Sequence, residues 1–348
     1  MVELIITEKP SSAQKIATAL ADGKAIVKKN KQCSYYELSH KGKDIIVTSA
    51  VGHLYTLVEK EDMKWGYPSF NIEWVPSYTR STELKYVKNY VDTIVKLSKT
   101  CDEFTIACDY DIEGEVIGLN VIRFACKQKD AHRMKFSTLT KDDLIESYEH
   151  KLDHLDWGQA NAGETRHKLD WFYGINVSRA LTASVKAAGS FKVMSAGRVQ
   201  GPTLRMLVMR EREISAFIPV PFWQIGLLGT YSKSDVEAWH KADKIFDSTE
   251  AVRIMGVVNK ATQATISEVS RTERKQLQPT PFNLTDLQSE SYALFKITPK
   301  DTLSIAQKLY IQGVTSYPRT SSQQLDPKLG FRKIFDALSK QVIYRELC

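Results

Sequence analysis

Three short apolar runs alternate with helical patterns in the first third of the chain, and this alternation constrains the fold more than any other feature. The runs are Val2–Thr7, residues 44–50 and residues 104–108, and their length is typical of buried strands. Helical patterns begin at Pro10 and cover residues 113–127. Strands that alternate with helices predict a mostly parallel α/β sheet, in which ligand-binding groups lie at the carboxyl ends of the strands.

Beyond residue 150 the pattern changes twice. It is helical over residues 151–215, contains short β-like runs at 223–231 and 264–269 that predict an antiparallel element, and becomes helical again from residue 279. Thr298-Pro299 is a good helix start and Gly313 a good stop. These changes predict four regions: 1–150, 151–215, 216–278 and 279–348.

Composition restricts the class of protein. The apolar runs fall well short of the roughly 18 residues of a membrane span, and the start MVELIITEKP does not resemble a signal peptide. Five scattered cysteines without a CxxC pair argue against a zinc ribbon and favour a cytoplasmic protein without membrane contact. Residues 1–150 are nearly neutral, whereas residues 151–348 hold 27 Lys/Arg against 19 Asp/Glu. That basic excess suits a polyanion such as nucleic acid, but an ordinary solvated surface explains it equally well.

An acidic cluster follows the third predicted strand, with Asp109, Asp111, Glu113 and Glu115 at alternate positions. Carboxylates so close together repel one another, which favours either protonation or a bound cation. Hard oxygen ligands suit Mg2+, and Glu8, just past the first strand, could complete the site. The alternative is an acidic helix N-terminus that the helix dipole stabilises without metal.

Tyr317 and Arg319 are the second candidate site, in the segment GVTSYPRTSS. A phenol has an unperturbed pKa of about 10 and must lose its proton to attack phosphorus. An arginine two positions away can neutralise the phosphate and stabilise the charge that grows on it. A tyrosine packed at the end of a strand, with a surface arginine nearby, explains the same segment.

Two segments between these candidates mix small, basic and polar residues. Residues 166–179 combine a helical apolar face with paired charges, and residues 195–203 form a small-residue loop that leads into a helix. Exposed N–H groups at a helix start, together with Arg198 and Gln200, could hold phosphates. A structural Asp–Arg contact and an ordinary helix start are the alternatives.

Together, and in this order, these segments resemble the type IA DNA topoisomerases. The resemblance is carried by EKPS at 8–11, DYDIEGE at 109–115, residues 170–179, SAGRVQ at 195–200 and LYIQGVTSYPRTS at 309–321. The form SYPRTSSQQL is closer to the archaeal, topoisomerase III-like branch. The resemblance implies an α/β multidomain fold. A Toprim domain with a Rossmann-like parallel sheet is followed by the helical and β-containing domains of a toroid, incomplete at the C-terminus.

The resemblance also implies an activity. The chain would be an ATP-independent isomerase that relaxes negatively supercoiled DNA through a transient single-strand break, with Mg2+ as cofactor. Tyr317 would keep the 5′ phosphate and release a 3′ hydroxyl, so the phosphodiester energy is conserved, and the sequence has no GxxxxGK[ST] nucleotide loop. Its partner would be the single-stranded segment of DNA at the cleavage site, which implies a nucleoid-associated protein.

The matched positions take four kinds of role in this reading. Catalysis would use Tyr317, Arg319 at the scissile phosphate, Lys9 as a general acid or electrostatic partner, and Glu8. Metal ligands would be Glu8, Asp109 and Asp111, supported by Glu113 and Glu115. DNA contacts would come from His53, Arg166, Arg179, Ser195, Gly197, Arg198 and Gln200.

The sequence departs from the family in two ways. It ends 31 residues after Tyr317, whereas family members continue, and Arg319-Thr-Ser-Ser replaces the usual Arg-Thr-Asp-Ser. Two alternatives to this activity stay open. One is a non-catalytic single-stranded DNA-binding fragment, or one that depends on a second chain for the missing half. The other is a different Toprim enzyme, a nuclease or primase, although such enzymes need no tyrosine nucleophile.

Overall fold

The computed structural model describes residues 1–60, 66–325 and 329–347. The chain divides into two compact units, of which the first comprises Met1–Arg198 with Pro279–Cys348 and the second comprises Val199–Gln278. The four-region division expected from the sequence stays a prediction. No helix in the described ranges is long and apolar enough to cross a membrane.

The strands and helices are named in chain order. The strands are β1 (Val2–Thr7), β2 (Ile26–Asn30), β3 (Cys33–His40), β4 (Lys43–Ser49), β5 (Tyr55–Glu59), β6 (Ile72–Pro76), β7 (Glu103–Ala107), β8 (His132–Arg133), β9 (Gly226–Tyr231) and β10 (Ser234–Trp239). The helices are α1 (Pro10–Leu20), α2 (Val87–Ser98), α3 (Ile112–Asn120), α4 (Lys141–Glu149), α5 (Trp157–Ala187), α6 (Gln200–Ala216), α7 (Ser248–Val258), α8 (Leu284–Phe295), α9 (Pro299–Gln312) and α10 (Phe331–Leu338).

Six strands of the first unit form one sheet in the order β2-β3-β4-β1-β7-β8. Strands β4, β1, β7 and β8 are parallel, whereas β2 and β3 extend the sheet antiparallel at one edge. The three predicted strands are confirmed as β1, β4 and β7. The apolar pattern did not reveal β2 because its residues are mostly polar and exposed.

Helices cover both faces of the sheet around β1. Leu4 and Ile6 belong to a core that includes residues of α2 and α3, whereas Ile5 belongs to a core with α1 and α4. A strand that is buried on both faces has a continuous apolar run rather than an alternating one. Tyr310 of α9 and Tyr317 share the core of Ile5, so the C-terminal segment packs on the sheet.

Helix α5 approaches α3 closely at Gly163. A methyl group at this position would lie 2.4 Å from Val116 Cγ2 and 2.6 Å from the Ile112 carbonyl oxygen. Only a residue without a side chain permits this approach. The contact fixes the N-terminal half of α5 beside the start of α3.

The boundaries predicted for α9 are confirmed. Thr298 is the N-cap and accepts a hydrogen bond from the Asp301 N–H at 3.2 Å. Gly313 ends the helix with a φ of 81°, in the left-handed region that glycine adopts without strain.

The second unit contains α6, an antiparallel β9–β10 hairpin and α7. The hairpin confirms the antiparallel element predicted at 223–231, and Ser232 and Lys233 form its two-residue turn with φ of 47° and 67°. The expected strand at 264–269 is wrong: these residues, all described, form neither strand nor helix. Among the described residues no strand pairs with this run, and a β-like composition alone does not make a strand. Helix α7 lies within residues 216–278, which were expected to be rich in β structure.

Candidate active site

The carboxyl ends of β1 and β7 bring Glu8 and Asp109 together. The strands are parallel neighbours with Thr7 opposite Ala107, so the following residues leave the sheet at the same edge. Lys9 lies between the two carboxylates, with its Nζ 3.2 Å from Glu8 Oε1 and 2.7 Å from Asp109 Oδ2. Three of the residues singled out in the sequence therefore share one site.

The charges of this site perturb one another. Burial is the largest cause of a raised pKa at Glu8, repulsion from Asp109 and Asp111 adds to it, and Lys9 opposes it. Burial would lower the pKa of Lys9, but attraction to Glu8 and Asp109 outweighs burial and raises it. Lys9 therefore keeps its proton at neutral pH, and the negative charge around Glu8 is only partly compensated.

Asp111 caps the N-terminus of α3 directly beside this site. Its Oδ1 accepts a hydrogen bond from the Gly114 N–H at 2.8 Å, and its own N–H donates to the Asp109 carbonyl at 2.9 Å. A methyl group at Gly114 would lie 2.2 Å from that carbonyl oxygen. Glycine is therefore required for the tight turn that holds Asp109 and Asp111 together.

Glu115 is fully buried and pairs with the fully buried Arg133. Glu115 Oε2 accepts from Arg133 Nε at 2.7 Å, and Oε1 accepts from the Asp156 N–H at 2.9 Å. The same guanidinium donates to the carbonyls of Cys108 at 2.9 Å and Asp109 at 3.0 Å. The pair therefore holds the backbone that carries Asp109. Sequence reasoning missed Arg133, because one arginine beside an apolar segment carries no distinctive signal.

Tyr317 reaches this site from the far end of the chain. Its hydroxyl donates a hydrogen bond to Asp111 Oδ2, and its N–H donates to the Ser137 carbonyl at 2.9 Å. Its ring lies 5.2 Å from that of Tyr310, whose hydroxyl donates to Asp109 Oδ1 at 3.4 Å. Two phenols thus face two aspartates, and the role of Tyr310 was also missed in the sequence.

The surroundings of Tyr317 favour its protonated form. Burial raises the pKa of Tyr317 well above its ordinary value, and the hydrogen bond to the Asp111 carboxylate raises it further. Exposed Arg319 is near enough to oppose this shift. For the phenol to act as a nucleophile, its proton must pass to an acceptor, and Asp111 is the carboxylate in contact with it.

The predicted DNA-contacting residues lie in different environments. His53 Nε2 is 3.0 Å from Glu113 Oε2, and Arg166 Nη1 is 3.4 Å from Glu113 Oε1. Arg179 forms a bidentate pair with Glu59 at 2.6 and 2.7 Å.

The remaining predicted contacts lie in and after the loop that precedes α6. Arg198 pairs with Asp170 of α5 at 2.7 Å. The Asp–Arg contact considered as an alternative was one within residues 166–179, where Arg166 Nε lies 3.8 Å from Asp170 Oδ2. Ser195 is exposed and Gly197 half-buried in this loop, and Gln200 is exposed at the start of α6 in the second unit. DNA contact by these residues stays a prediction.

His167 is a further site residue that the sequence did not reveal. Its Nε2 lies 2.9 Å from Glu113 Oε2, the oxygen that His53 also contacts. In the part of the chain that the structure describes, His53, Glu113 and His167 are the group of three metal-ligand side chains whose donor atoms lie within 4.8 Å of one another. Glu113 and His167 are 54 positions apart, so no local pattern indicates that they meet, and the contact forms only because α5 packs against α3.

The predicted ligands Glu8, Asp109 and Asp111 fit a divalent cation by their chemistry. They offer carboxylate oxygens, which hard divalent ions prefer. The raised pKa of Glu8 reflects burial together with repulsion from the two aspartates, and a cation would relieve the repulsion. In the arrangement described here, Lys9 and Tyr317 contact these oxygens instead.

Comparison with known families agrees with this geometry. A family model described as DNA topoisomerase matches residues 154–346, and a Toprim domain model matches residues 3–139. Toprim domains generally bind a divalent metal ion. The two matches follow one another along the chain and between them include all the site residues described above.

Comparison with individual proteins gives the same result. The chain is 46% identical to DNA topoisomerase 1 of Pyrococcus horikoshii, covering 98% of this chain and 50% of that protein. It is 48% identical to DNA topoisomerase 1 of Methanocaldococcus jannaschii (93% and 42%), and 30% identical to DNA topoisomerase 3 of Bacillus subtilis (92% and 43%). The chain spans about half the length of these relatives.

A solved structure shares the fold. Full-length topoisomerase I from Thermotoga maritima superimposes with a TM-score of 0.65 at 23% identity, over 97% of this chain and 52% of that one. The expected α/β fold with a Toprim region is thereby confirmed. Because the topoisomerase model alone matches more than half of the residues, the chain belongs to the type IA DNA topoisomerase family.

Proposed function

We propose that this chain carries the strand-cleavage site of an ATP-independent type IA DNA topoisomerase, which breaks one strand through Tyr317 and reseals it. The observation that carries the proposal is the hydrogen bond from the Tyr317 phenol to Asp111. It joins a nucleophile to a proton acceptor inside the carboxylate cluster. A Toprim nuclease or primase has no need of a tyrosine in that position.

The proposed cleavage is a transesterification. Tyr317 Oη attacks the phosphorus, and its proton passes to Asp111 Oδ2. The bond from phosphorus to the 3′ oxygen breaks, and that oxygen takes a proton from Lys9, which is protonated between Glu8 and Asp109. The 5′ phosphate remains on Tyr317, and the reverse attack by the 3′ hydroxyl restores the strand without ATP.

Arg319 would stabilise the scissile phosphate in this reaction. The guanidinium is exposed, and its charge acts on the Tyr317 phenol. A planar guanidinium binds phosphate oxygens with two hydrogen bonds and stabilises the charge that develops during attack. Tyr317 therefore attacks beside the Arg319 guanidinium, whose charge also acts to lower the raised pKa of the phenol.

Mg2+ is the ion we propose for Glu8, Asp109 and Asp111. Bound there, it would neutralise phosphate charge and hold the reacting ends for resealing. Asp111 Oδ2 accepts the Tyr317 hydrogen bond in the arrangement described, and the phenol no longer competes for that oxygen once its own oxygen is bonded to phosphorus. On this ground we propose that the metal ion matters more for resealing than for cleavage.

Single-stranded DNA is the substrate we propose for the cleavage step, in the course of relaxing negatively supercoiled DNA. The names of the relatives and the basic excess of residues 151–348 support DNA as the polyanion. We expect the nonspecific part of the affinity to fall as salt rises, because neutralising phosphates releases counterions.

A covalent trap tests the proposal. The chain is mixed with a single-stranded oligonucleotide labelled at either its 3′ or its 5′ end, and the reaction is stopped with denaturant. Because the protein keeps the 5′ phosphate of the downstream piece, the 3′ label should migrate with the protein, and the 5′ label should appear on a shorter free strand.

Two tyrosine variants control this experiment. Tyr317→Phe should abolish the adduct while single-strand binding stays nearly unchanged, and Tyr292→Phe, an exposed tyrosine of α8, should leave both intact. The 5′ label on the protein, an adduct that survives in Tyr317→Phe, or cleaved strands without an adduct would refute the mechanism. Binding without cleavage by the unaltered chain would favour the non-catalytic reading.

A further inference from the structure

We infer that His53, Glu113 and His167 form a binding site for a zinc ion, separate in its ligands from the carboxylates around Asp109. The imidazole Nε2 atoms of His53 and His167 lie 3.0 and 2.9 Å from the same oxygen, Glu113 Oε2. All three donor atoms lie within 4.8 Å of one another. The inference depends on this convergence and not on the proposed cleavage reaction.

The distances fit zinc after small adjustments. Zinc bonds to nitrogen and carboxylate oxygen are roughly 2.0–2.2 Å long, so the ligand atoms of a tetrahedral site lie roughly 3.4 Å apart. The observed separations from Glu113 Oε2 fall a few tenths of an ångström below that value. Each imidazole nitrogen therefore has to move away from Glu113 Oε2 by only that amount.

The ligands come from three elements that are packed against one another. His53 follows β4, Glu113 lies in the first turn of α3, and His167 lies in α5. Gly163, one turn before His167, is the close contact between α5 and α3. The backbone positions of Glu113 and His167 are therefore held before any metal arrives, and Leu54, next to His53, is buried in the same core as Ile117 of α3.

Neighbouring side chains fix the orientation of the ligands. The His53 and His167 rings lie 4.9 Å apart, and the Trp74 ring lies 5.7 Å from His167. The second carboxylate oxygen of Glu113 is 3.4 Å from Arg166 Nη1, as ligating carboxylates usually hold a hydrogen-bonding partner on their other oxygen.

The donor set selects zinc over magnesium. Two imidazole nitrogens and one carboxylate suit zinc and its neighbours in the first transition row, whereas Mg2+ requires oxygen ligands. The side chains of His53, Glu113 and His167 are 34%, 26% and 28% exposed. A partly open site with three protein ligands leaves the fourth position to water.

Titration of the whole chain with Zn2+, and with Co2+ as a spectroscopic substitute, tests the inference. The ligand variants are His167→Gln and Glu113→Gln. The matched control is His154→Gln, because His154 is an exposed histidine that also contacts a carboxylate, that of Asp130, at 2.9 Å. Asp111→Asn separates this site from the neighbouring carboxylates.

The expected result is one equivalent of metal bound at this site, seen as a tetrahedral Co2+ absorption spectrum, in addition to any metal that the carboxylates around Asp109 bind. Both ligand variants should weaken binding by at least about tenfold, whereas His154→Gln and Asp111→Asn should bind as tightly as the unaltered chain. Equal binding by His167→Gln and the unaltered chain would overturn the inference. So would binding that is lost only in Asp111→Asn, or a Co2+ spectrum with the charge-transfer band of a cysteine thiolate.

Discussion

Arg133 and Glu115 form an ion pair in which neither side chain is exposed to solvent, with 2.7 Å between Arg133 Nε and Glu115 Oε2. The other N–H groups of Arg133 donate to the carbonyls of Cys108, Asp109 and Met134. A buried pair is not intrinsically more stabilising than apolar residues of the same shape. Here it fixes the chain at the end of β7, where Asp109 leaves the sheet.

We predict that Arg133→Met lowers the free energy of unfolding by about 3–5 kcal/mol, because it leaves the Glu115 carboxylate buried without its partner. Urea titration, followed by far-ultraviolet circular dichroism, measures the change. Arg210→Met is the matched control, because Arg210 pairs with Glu213 at 3.0 Å on an exposed helix face and should change stability little. Equal losses in the two variants would mean that the buried pair contributes no more than the surface one.

Gly114→Ala should disturb the site through the backbone. Its methyl group would meet the Asp109 carbonyl oxygen at 2.2 Å, so the turn between β7 and α3 must open. We expect a loss of about 2 kcal/mol or more in the free energy of unfolding. Gly256→Ala in α7, where nothing lies within 4 Å, should instead stabilise its helix by about 0.5–1 kcal/mol. A neutral Gly114→Ala in the same urea titrations would contradict the close approach.

How much of this molecule the sequence predicts depends on how local each feature is. Strand β1 and the boundaries of α9 follow from apolar runs and end residues within a few positions, and both are confirmed. The contacts of Arg133 depend on which strands are neighbours, and those of His167 depend on how α5 packs against α3. The contact of Tyr310 with Asp109 depends on how α9 packs on the sheet. The meeting of Tyr317 with Asp111, 206 positions apart, was expected from family resemblance and not from any local pattern.

The strand expected at 264–269 failed for a related reason. A β-like run becomes a strand only when another edge is available to pair with it, and local composition does not report that edge. Strands β9 and β10 pair with each other across a two-residue turn. Each supplies the edge that the other needs, so the local sequence was enough to predict this hairpin.

Glu3 should make the stability of the first unit sensitive to acid. Burial alone would raise its pKa, but hydrogen bonds from Lys151, Lys43, Thr105 and Tyr148 outweigh burial and lower the pKa to about 2 from the ordinary 4.5. Because the folded-state pKa is the lower one, the stabilisation is complete above pH 4.5. It is lost as the pH falls from there to about 2.

Unfolding midpoints between pH 6 and about pH 2 test this expectation. Glu3→Gln should be less stable than the unaltered chain at pH 6, and the difference should shrink as the pH falls. Glu83→Gln, at an exposed position in the same unit, is the control and should follow the unaltered chain throughout. A stability difference for Glu3→Gln that stays constant with pH would show that the ionised Glu3 carboxylate is not the source of the acid sensitivity.

Asp111→Asn should separate resealing from cleavage if Tyr317 acts as proposed. The amide oxygen can still accept the Gly114 N–H bond that caps α3, so we expect the fold to be kept, but the negative charge that attracts a cation is lost. We expect Mg2+-dependent resealing of an adduct formed without denaturant, on addition of a strand with a 3′ hydroxyl, to slow by at least about tenfold. Adduct formation should also slow, because the amide cannot accept the proton of the Tyr317 phenol, but by a smaller factor, since Lys9 and Arg319 remain and the metal ion is proposed to matter more for resealing. Asp153→Asn, whose side chain is 88% exposed, should reseal at the normal rate. An unchanged Mg2+ response in Asp111→Asn would show that Asp111 is not a metal ligand. Complete loss of the adduct would show that Asp111 matters more as the proton acceptor of Tyr317 than as a metal ligand.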